Sequence, residues 1–266
     1  MVPSRSAIDA KEILLTQDAP QDAAAAPEGP GTIRHQLAGA MKANLIPGLI
    51  IWTIGLAIVL SYYFYAPVTG AFNAFGDFLE RPAGFCNMGI WFAIAATPIF
   101  GALVPFGLQY LSSDPTGRQS AKDLPFLMLF WAYRGTEIQI LYTLQGKVWA
   151  NLHPMLEVSV SAFIDQFIFV PLWAVWTLVL AYFWKDHGYS FKRTRAAMGS
   201  GFFQWYREKV WPVVVTNWFI WVPSVILIYS MPSPLRLPVM QLILCLFVLV
   251  ITIMMHKTPD PEAPTE

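Results

Sequence analysis

The stretch Trp211-Pro212-Val213-Val214-Val215-Thr216-Asn217-Trp218-Phe219-Ile220-Trp221-Val222-Pro223 decides the class of fold. It follows a basic segment, opens on Trp-Pro, runs apolar and aromatic, and closes on Val-Pro. A proline in the first helical turn sacrifices no hydrogen bond, because its N–H would have no helical acceptor. Tryptophan at that point suits a membrane–water boundary, where one side of the ring is wet and the other oily. Pro223 lies inside the same apolar run, so the helix is expected to bend or break there. The stretch therefore reads as a membrane helix, and the rest of the chain has to be compatible with one.

It is. The chain of 266 residues is 56% hydrophobic and only 13% charged, against about 25% charged in a soluble domain. Apolar runs of spanning length predict an all-α, polytopic helical bundle of about six membrane helices, near residues 43–65, 88–111, 125–146, 158–184, 212–229 and 238–255. Pro98 and Pro105 should kink the second. Residues 41–256 form the membrane domain. Residues 1–40, rich in Ala, Pro, Asp and Gln, read as a disordered tail, and residues 257–266 as a short second tail.

Charge placement orients the bundle. Lys185, Lys192, Arg193, Arg195, Arg207 and Lys209 face only Asp186 and Glu208 in the most basic loop, after the fourth segment. The loop after the first segment carries Asp77 and Glu80 against Arg81. The positive-inside rule then puts the basic loop and both termini in the cytoplasm. Within that loop, residues 196–208 could lie as an amphipathic helix in the interface, with Phe202, Phe203, Trp205 and Tyr206 on the membrane and the basic residues towards anionic lipid. The N-terminal tail lacks a signal-peptide core and is too acidic for a transit peptide, which favours a bacterial inner membrane. Lipid and a second copy of the chain are the partners compatible with such a bundle. Zero net charge gives no footing for nucleic acid.

The third segment is unlike the others. Gly135, Gln139, Tyr142 and Gly146 fall on one helical stripe, and Arg134, Glu137, Leu141 and Gln145 on the next. The opposite side, Ala132, Tyr133, Thr136, Ile140, Thr143 and Leu144, is the natural lipid face. Polar groups turned to lipid lose their partners, so the polar arc must face inward. Arg134 and Glu137, three residues apart, can pair along the helix. Asp165-Gln166, opening the fourth segment ahead of Pro171, calls for a partner too, with Arg134 and Lys147 as the expected ones. Asn217 is the one residue of the opening stretch that can reach this group. Arg134, Glu137, Gln139, Tyr142, Gln145, Asp165, Gln166 and Asn217 are thus the candidate intramembrane polar site. They fit either a permeation path or a structural hydrogen-bond knot.

Nothing points to an enzyme or a cofactor. The chain has no H-E-x-x-H, G-x-S-x-G, Walker or dinucleotide motif. Cys86 and Cys245 lie far apart, and His35, His153, His187 and His256 are scattered, so no metal or disulfide framework is expected.

Three places resemble a known family, the small peroxisomal and mitochondrial inner-membrane proteins of the Mpv/PMP/Sym type. Trp211, Pro212, Phe219, Val222 and Pro223 are similar to its Trp-Pro … Asn-Phe … Val-Pro signature. Asp165-Gln166 with Pro171 resembles its Asp-Gln … Pro element, and Gly135 with Tyr142 its Gly … Trp-Tyr helix. Val215, Trp218 and Leu227 stand where that family has Gln, Asn and Arg. The resemblance implies a channel-like membrane protein passing small solutes or ions. The alternative is a non-transporting scaffold that binds anionic lipid or partner proteins through the 185–209 loop.

Overall fold

The computed structural model describes residues 30–111, 120–199 and 201–257, with side chains described over 45–108, 120–199 and 201–247. The described residues from Leu37 on form one compact unit; of residues 1–36, the described part, 30–36, is helical. The expected tails at 1–29 and 258–266 lie outside the described residues. The first helix starts at Pro30, well before the expected residue 43, so the tail reading does not hold for residues 30–40.

The protein is all-α apart from one two-stranded hairpin among the described residues. The helices are α1 (Pro30–Phe64), α2 (Ala66–Glu80), α3 (residues 88–111), α4 (Leu124–Val148), α5 (Pro154–Asp186), α6 (Phe191–Ala197), α7 (Phe202–Tyr229) and α8 (Arg236–Lys257). Strands β1 (Pro82–Ala83) and β2 (Cys86–Asn87) pair antiparallel between α2 and α3. Four segments are long and apolar enough to cross a membrane: Leu45–Phe64, Met88–Leu108, Pro154–Asp186 and Phe202–Tyr229. That is the make-up of an integral membrane protein. A shorter apolar stretch, Ser233–Phe247, runs from the turn at 233–235 into α8. α4 carries Arg134, Glu137 and Lys147 along its 25 residues.

Prolines shape the helices, though not always as expected. In α3 one wide turn runs over Ile99–Leu103, between Pro98 and Pro105, and is closed by Val104 N–H onto the Ile99 carbonyl; Pro105 is the proline whose ring crowds a carbonyl inside it, that of Gly101. In α5 the wide stretch runs over Ile164–Ala174 and contains Pro171, and it ends with Val175 N–H on the Val170 carbonyl. A third, Tyr206–Val210, lies just ahead of Pro212. Proline cannot donate, and its ring crowds the carbonyl four residues back, so bonding shifts to the residue five back. Pro223 does not interrupt α7, which continues regularly to Tyr229. Its turn is braced at the Ile220 carbonyl, which accepts from Ser224 Oγ at 2.9 Å and from Trp52 Nε1 at 3.0 Å.

Two further expectations need correcting. The Gly/Phe-rich segment after α1 is not a loop but α2, with Pro67 in its first turn and Gly76 facing Pro234 and Leu235. The interfacial helix at 196–208 does not form as one piece. Gly199 and Gly201, at φ of 65° and 138°, end α6 and let the chain restart at Phe202. From there the chain is already α7. Trp205 is buried against Phe183, and the half-buried Tyr206 donates to the Pro171 carbonyl at 2.7 Å, so both are used in packing within the protein.

The tightest packing is between α3 and α4. A Cβ at Gly135 would lie 2.2 Å from Thr97 Oγ1 and 2.5 Å from the Ala93 carbonyl oxygen. One at Gly101 would meet the Trp131 ring at 2.4 Å. Small residues at a crossing let helix backbones approach, which is how apolar helices associate when lipid is as oily as their side chains. This contact fixes how α4 is turned, and so where its polar arc points.

Candidate functional site

α4 faces the protein with Arg134, Gly135, Gln139, Tyr142 and Gln145, all buried, and presents Leu129, Tyr133, Ile140 and Leu144 outward. The arc does not form one site. It divides into three groups along the helix.

The first is an ion pair. Arg134 pairs with Glu137 along α4, as the spacing suggests. Glu137 also accepts from Trp173 Nε1 of α5 and from Tyr133 OH at 3.3 Å. The Arg134 guanidinium stands 6.0 Å from the centre of the Phe169 ring. Both charges are therefore satisfied by each other and by α5 aromatics. The second group is Gln139, which donates to Thr143 Oγ1 at 3.3 Å and packs beside Gly89 of α3; it does not meet Asp165.

The third group is a cluster between α4, α5, α7 and α8, centred on Asp165. This carboxyl is 6% exposed and lies on the wide turns of α5, about 16 Å from the start of the helix at the usual rise of about 1.5 Å per residue. Tyr229 OH donates to its Oδ2 at 3.0 Å, and Gln166 Nε2 to its Oδ1 at 3.1 Å. Gln145 Nε2 donates to the same Tyr229 hydroxyl at 2.7 Å, and the Tyr142 ring meets the Tyr229 ring edge-on at 5.2 Å. On the other side, Asn217 Nδ2 lies 3.4 Å from Gln166 Oε1, and Trp218 Nε1 donates to the Gln166 carbonyl at 2.6 Å. Tyr142, Gln145, Asp165, Gln166 and Asn217 are thus brought together, whereas Arg134, Glu137 and Gln139 lie apart from them.

The expected partners of Asp165 are not its partners. Arg134 is engaged by Glu137, and Lys147 is exposed. Among the described residues Asp165 makes no ion pair. The residue that holds it, Tyr229, is 1% exposed and closes α7. Sequence reading passed over it because an aromatic at a helix end reads as an interface anchor. Its partners are 64 and 84 residues away, outside any helical period.

Next to this cluster, Arg236 of α8 forms a 2.5 Å ion pair with Glu157 in the first turn of α5 and donates to the Met231 carbonyl at 3.2 Å. Its guanidinium lies 5.1 Å from the centre of the Tyr229 ring. The pair closes the cluster at the end of the bundle that holds the 149–153 and 230–235 turns. Arg236→Leu is expected to cost about 3–5 kcal/mol, the range for removing one partner of a buried pair. Glu157→Gln should cost less, because the Glu157 side chain is 21% exposed and an amide oxygen still accepts from Arg236. Thermal unfolding in detergent checks the order; a larger loss from Glu157→Gln would contradict it.

The opposite end of the bundle has its own polar contact. Tyr189 donates to Asp123 Oδ1 at 2.6 Å, and Lys185 reaches Asp123 and Asp186. No group of three or more His, Cys, Asp or Glu side chains able to hold a metal occurs among the described residues.

The signature positions are structural. Gly135 makes the α3–α4 crossing, Pro171 lies in the wide turns, and Phe219 meets Trp52 edge-on at 5.8 Å. Trp211 and Pro212 open the regular part of α7, with Val222 and Pro223 three turns on. No protein-family model, curated protein or solved structure matches the chain.

Proposed function

We propose that the protein crosses the membrane six times with both termini in the cytoplasm, and that it is a gated, channel-like protein passing a small polar solute or ion along the seam between α4, α5, α7 and α8. One observation carries this reading: a buried carboxyl, Asp165, three turns into a spanning helix, held by neutral donors alone. An aspartate at the centre of a membrane helix costs about 2.5–3.5 kcal/mol on insertion scales, and ionisable residues retained inside the membrane mark pathways and proton relays. The wide turns that carry it are of a kind frequent at working sites. Because the seam is packed shut, it supports a closed state that must open rather than a standing pore. The Trp-Pro … Val-Pro, Asp-Gln … Pro and Gly … Tyr elements support remote membership of the Mpv/PMP/Sym-type family, and the acidic composition of residues 1–40 supports a bacterial inner-membrane location.

In liposomes, the wild-type protein should raise the flux of small polar solutes or ions above that of empty liposomes, and Asp165→Asn should return it to that level. Equal flux in protein-containing and empty liposomes would end the proposal.

A second reading has its own observation. Phe191 and Phe203 are 80% and 88% exposed beside Lys192, Arg193, Arg195 and Arg207. That combination suits an anionic lipid surface and a scaffold role. It requires anionic lipid to co-purify with the protein and to be lost when those four basic residues become glutamine; unaltered retention would dismiss it.

A further inference from the structure

We infer that the species taken up at Asp165 is a proton, not a metal cation, and that Tyr229 and Gln145 relay it. The inference rests on the seam being the working site, and it deepens that reading by naming the ion.

Hydrogen-bond direction comes first. Both Asp165 oxygens face hydrogens, from Tyr229 OH at 3.0 Å and Gln166 Nε2 at 3.1 Å. A metal cation needs several oxygens turned towards it. Here two of the nearest groups already present N–H and O–H to the carboxylate, and no second acid shares the site.

Charge comes second. Of the titratable and charged groups on the helices packed around it, Tyr229 of α7 touches Asp165 and Tyr142 of α4 meets the Tyr229 ring, while Arg134 and Glu137 of α4, Arg236 of α8 and Glu157 of its own helix stand off as ion pairs. Arg134 is neutralised by Glu137, and Arg236 by Glu157. Asp165 is the acid left over. The seam carries one negative charge with Asp165 ionised and none with it protonated, so one proton makes it neutral in a medium that penalises charge.

The unpaired atoms come third. Gln145 Oε1 and Arg236 Nη1 are buried without partners. Both residues touch Tyr229: Gln145 through its amide and Arg236 across the ring. Gln145 Oε1 is the acceptor that a second state requires. With Asp165 ionised, Tyr229 donates to it and accepts from Gln145 Nε2. When a hydronium ion arrives at the Arg236 end, the Tyr229 oxygen takes one of its protons and leaves water. The former Tyr229 O–H bond breaks as Asp165 Oδ2–H forms. Asp165 then donates to Tyr229, and Tyr229 donates to Gln145 Oε1 after the amide turns over. The hydroxyl hydrogen of Tyr229 and the carboxyl hydrogen of Asp165 each have an acceptor in this relay.

Infrared difference spectroscopy of the full chain in lipid, between neutral and acid pH, tests the inference. A carboxylic-acid C=O band should appear on acidification, shift down in deuterated water, vanish in Asp165→Asn and move in frequency in Asp165→Glu. Tyr229→Phe should keep the band but slow its appearance after a pH jump. Absence of the band from wild type, its persistence in Asp165→Asn, or carboxylate bands that instead respond to sodium, potassium or calcium at fixed pH would overturn it. Solute flux in liposomes without any such band would sink the proton and leave the channel reading standing; a titrating band without flux would do the reverse.

Discussion

Gly135→Ala is expected to be the most damaging single methyl group that can be added to the α3–α4 crossing. The new Cβ would sit 2.2 Å from Thr97 Oγ1 and 2.5 Å from the Ala93 carbonyl oxygen. The first contact can be relieved by turning a side chain, but the second is backbone, so the helices must separate. Overpacking costs about 1–3 kcal/mol, occasionally more, and a clash with a fixed carbonyl belongs at the upper end. Gly135→Leu should leave no folded protein to recover in detergent. Gly70, in α2, has nothing within 4 Å of its Cβ position, so Gly70→Ala should be neutral or stabilising by up to about 1 kcal/mol from helix propensity. Thermal midpoints of the two alanine variants check the contrast. Equal midpoints would mean that α3 and α4 do not cross at Gly135. Thr97→Ala should rescue Gly135→Ala only in part, because the Ala93 carbonyl remains.

The second large effect is expected at Tyr229. Tyr229→Phe keeps the ring and its edge-on contact with Tyr142 but removes a hydroxyl that both donates and accepts. Asp165 Oδ2 loses its donor and Gln145 Nε2 its acceptor, each away from water. A buried polar group left unpaired costs about 1–3 kcal/mol, and here two are created, one of them on a carboxyl. Tyr63→Phe also removes a hydrogen bond, to the Ser230 carbonyl, but Tyr63 is exposed, so that loss should be within about 0.5–1.5 kcal/mol. Adding Gln145→Leu to Tyr229→Phe should recover part of the loss, because it removes one of the stranded groups. Strict additivity of the two substitutions would show that the Gln145–Tyr229 bond carries no coupling.

The helices were legible because they are built on runs of apolar residues. Both ends of α4 and the start of α3 lie within a few residues of where hydropathy and prolines put them. The inward arc of α4 was legible for the same reason: one helical period carries it. α2 was not, because Gly70, Gly76 and three phenylalanines read as a loop, and the helix is fixed by docking on Pro234 and Leu235, far along the chain. The partners of Asp165 were not legible either. Sequence could say that a buried acid needs a donor, but which donor depends on how α7 and α8 end. Tyr229 and Arg236 flank a turn and resemble ordinary end-of-helix residues. Arg134, the nearest arginine by helical reasoning, was already used by its own neighbour. At Pro223 the expectation was a bend or a break, and the helix does not break: it runs on to Tyr229, with Ser224 and Trp52 both donating to the Ile220 carbonyl one turn back.

The most direct test of a working seam is whether water-borne reagents reach it. In a chain with Cys86→Ser and Cys245→Ala, Gln145→Cys and Asn217→Cys place single thiols on either side of Asp165. In intact vesicles, a membrane-impermeant maleimide should label position 145 from the face of the 230–235 turn and position 217 from the opposite face, each slowly and at the rate of opening. If neither position reacts from either face, while both react once the protein is denatured, the Asp165 cluster is a sealed structural knot and the channel-like account is wrong.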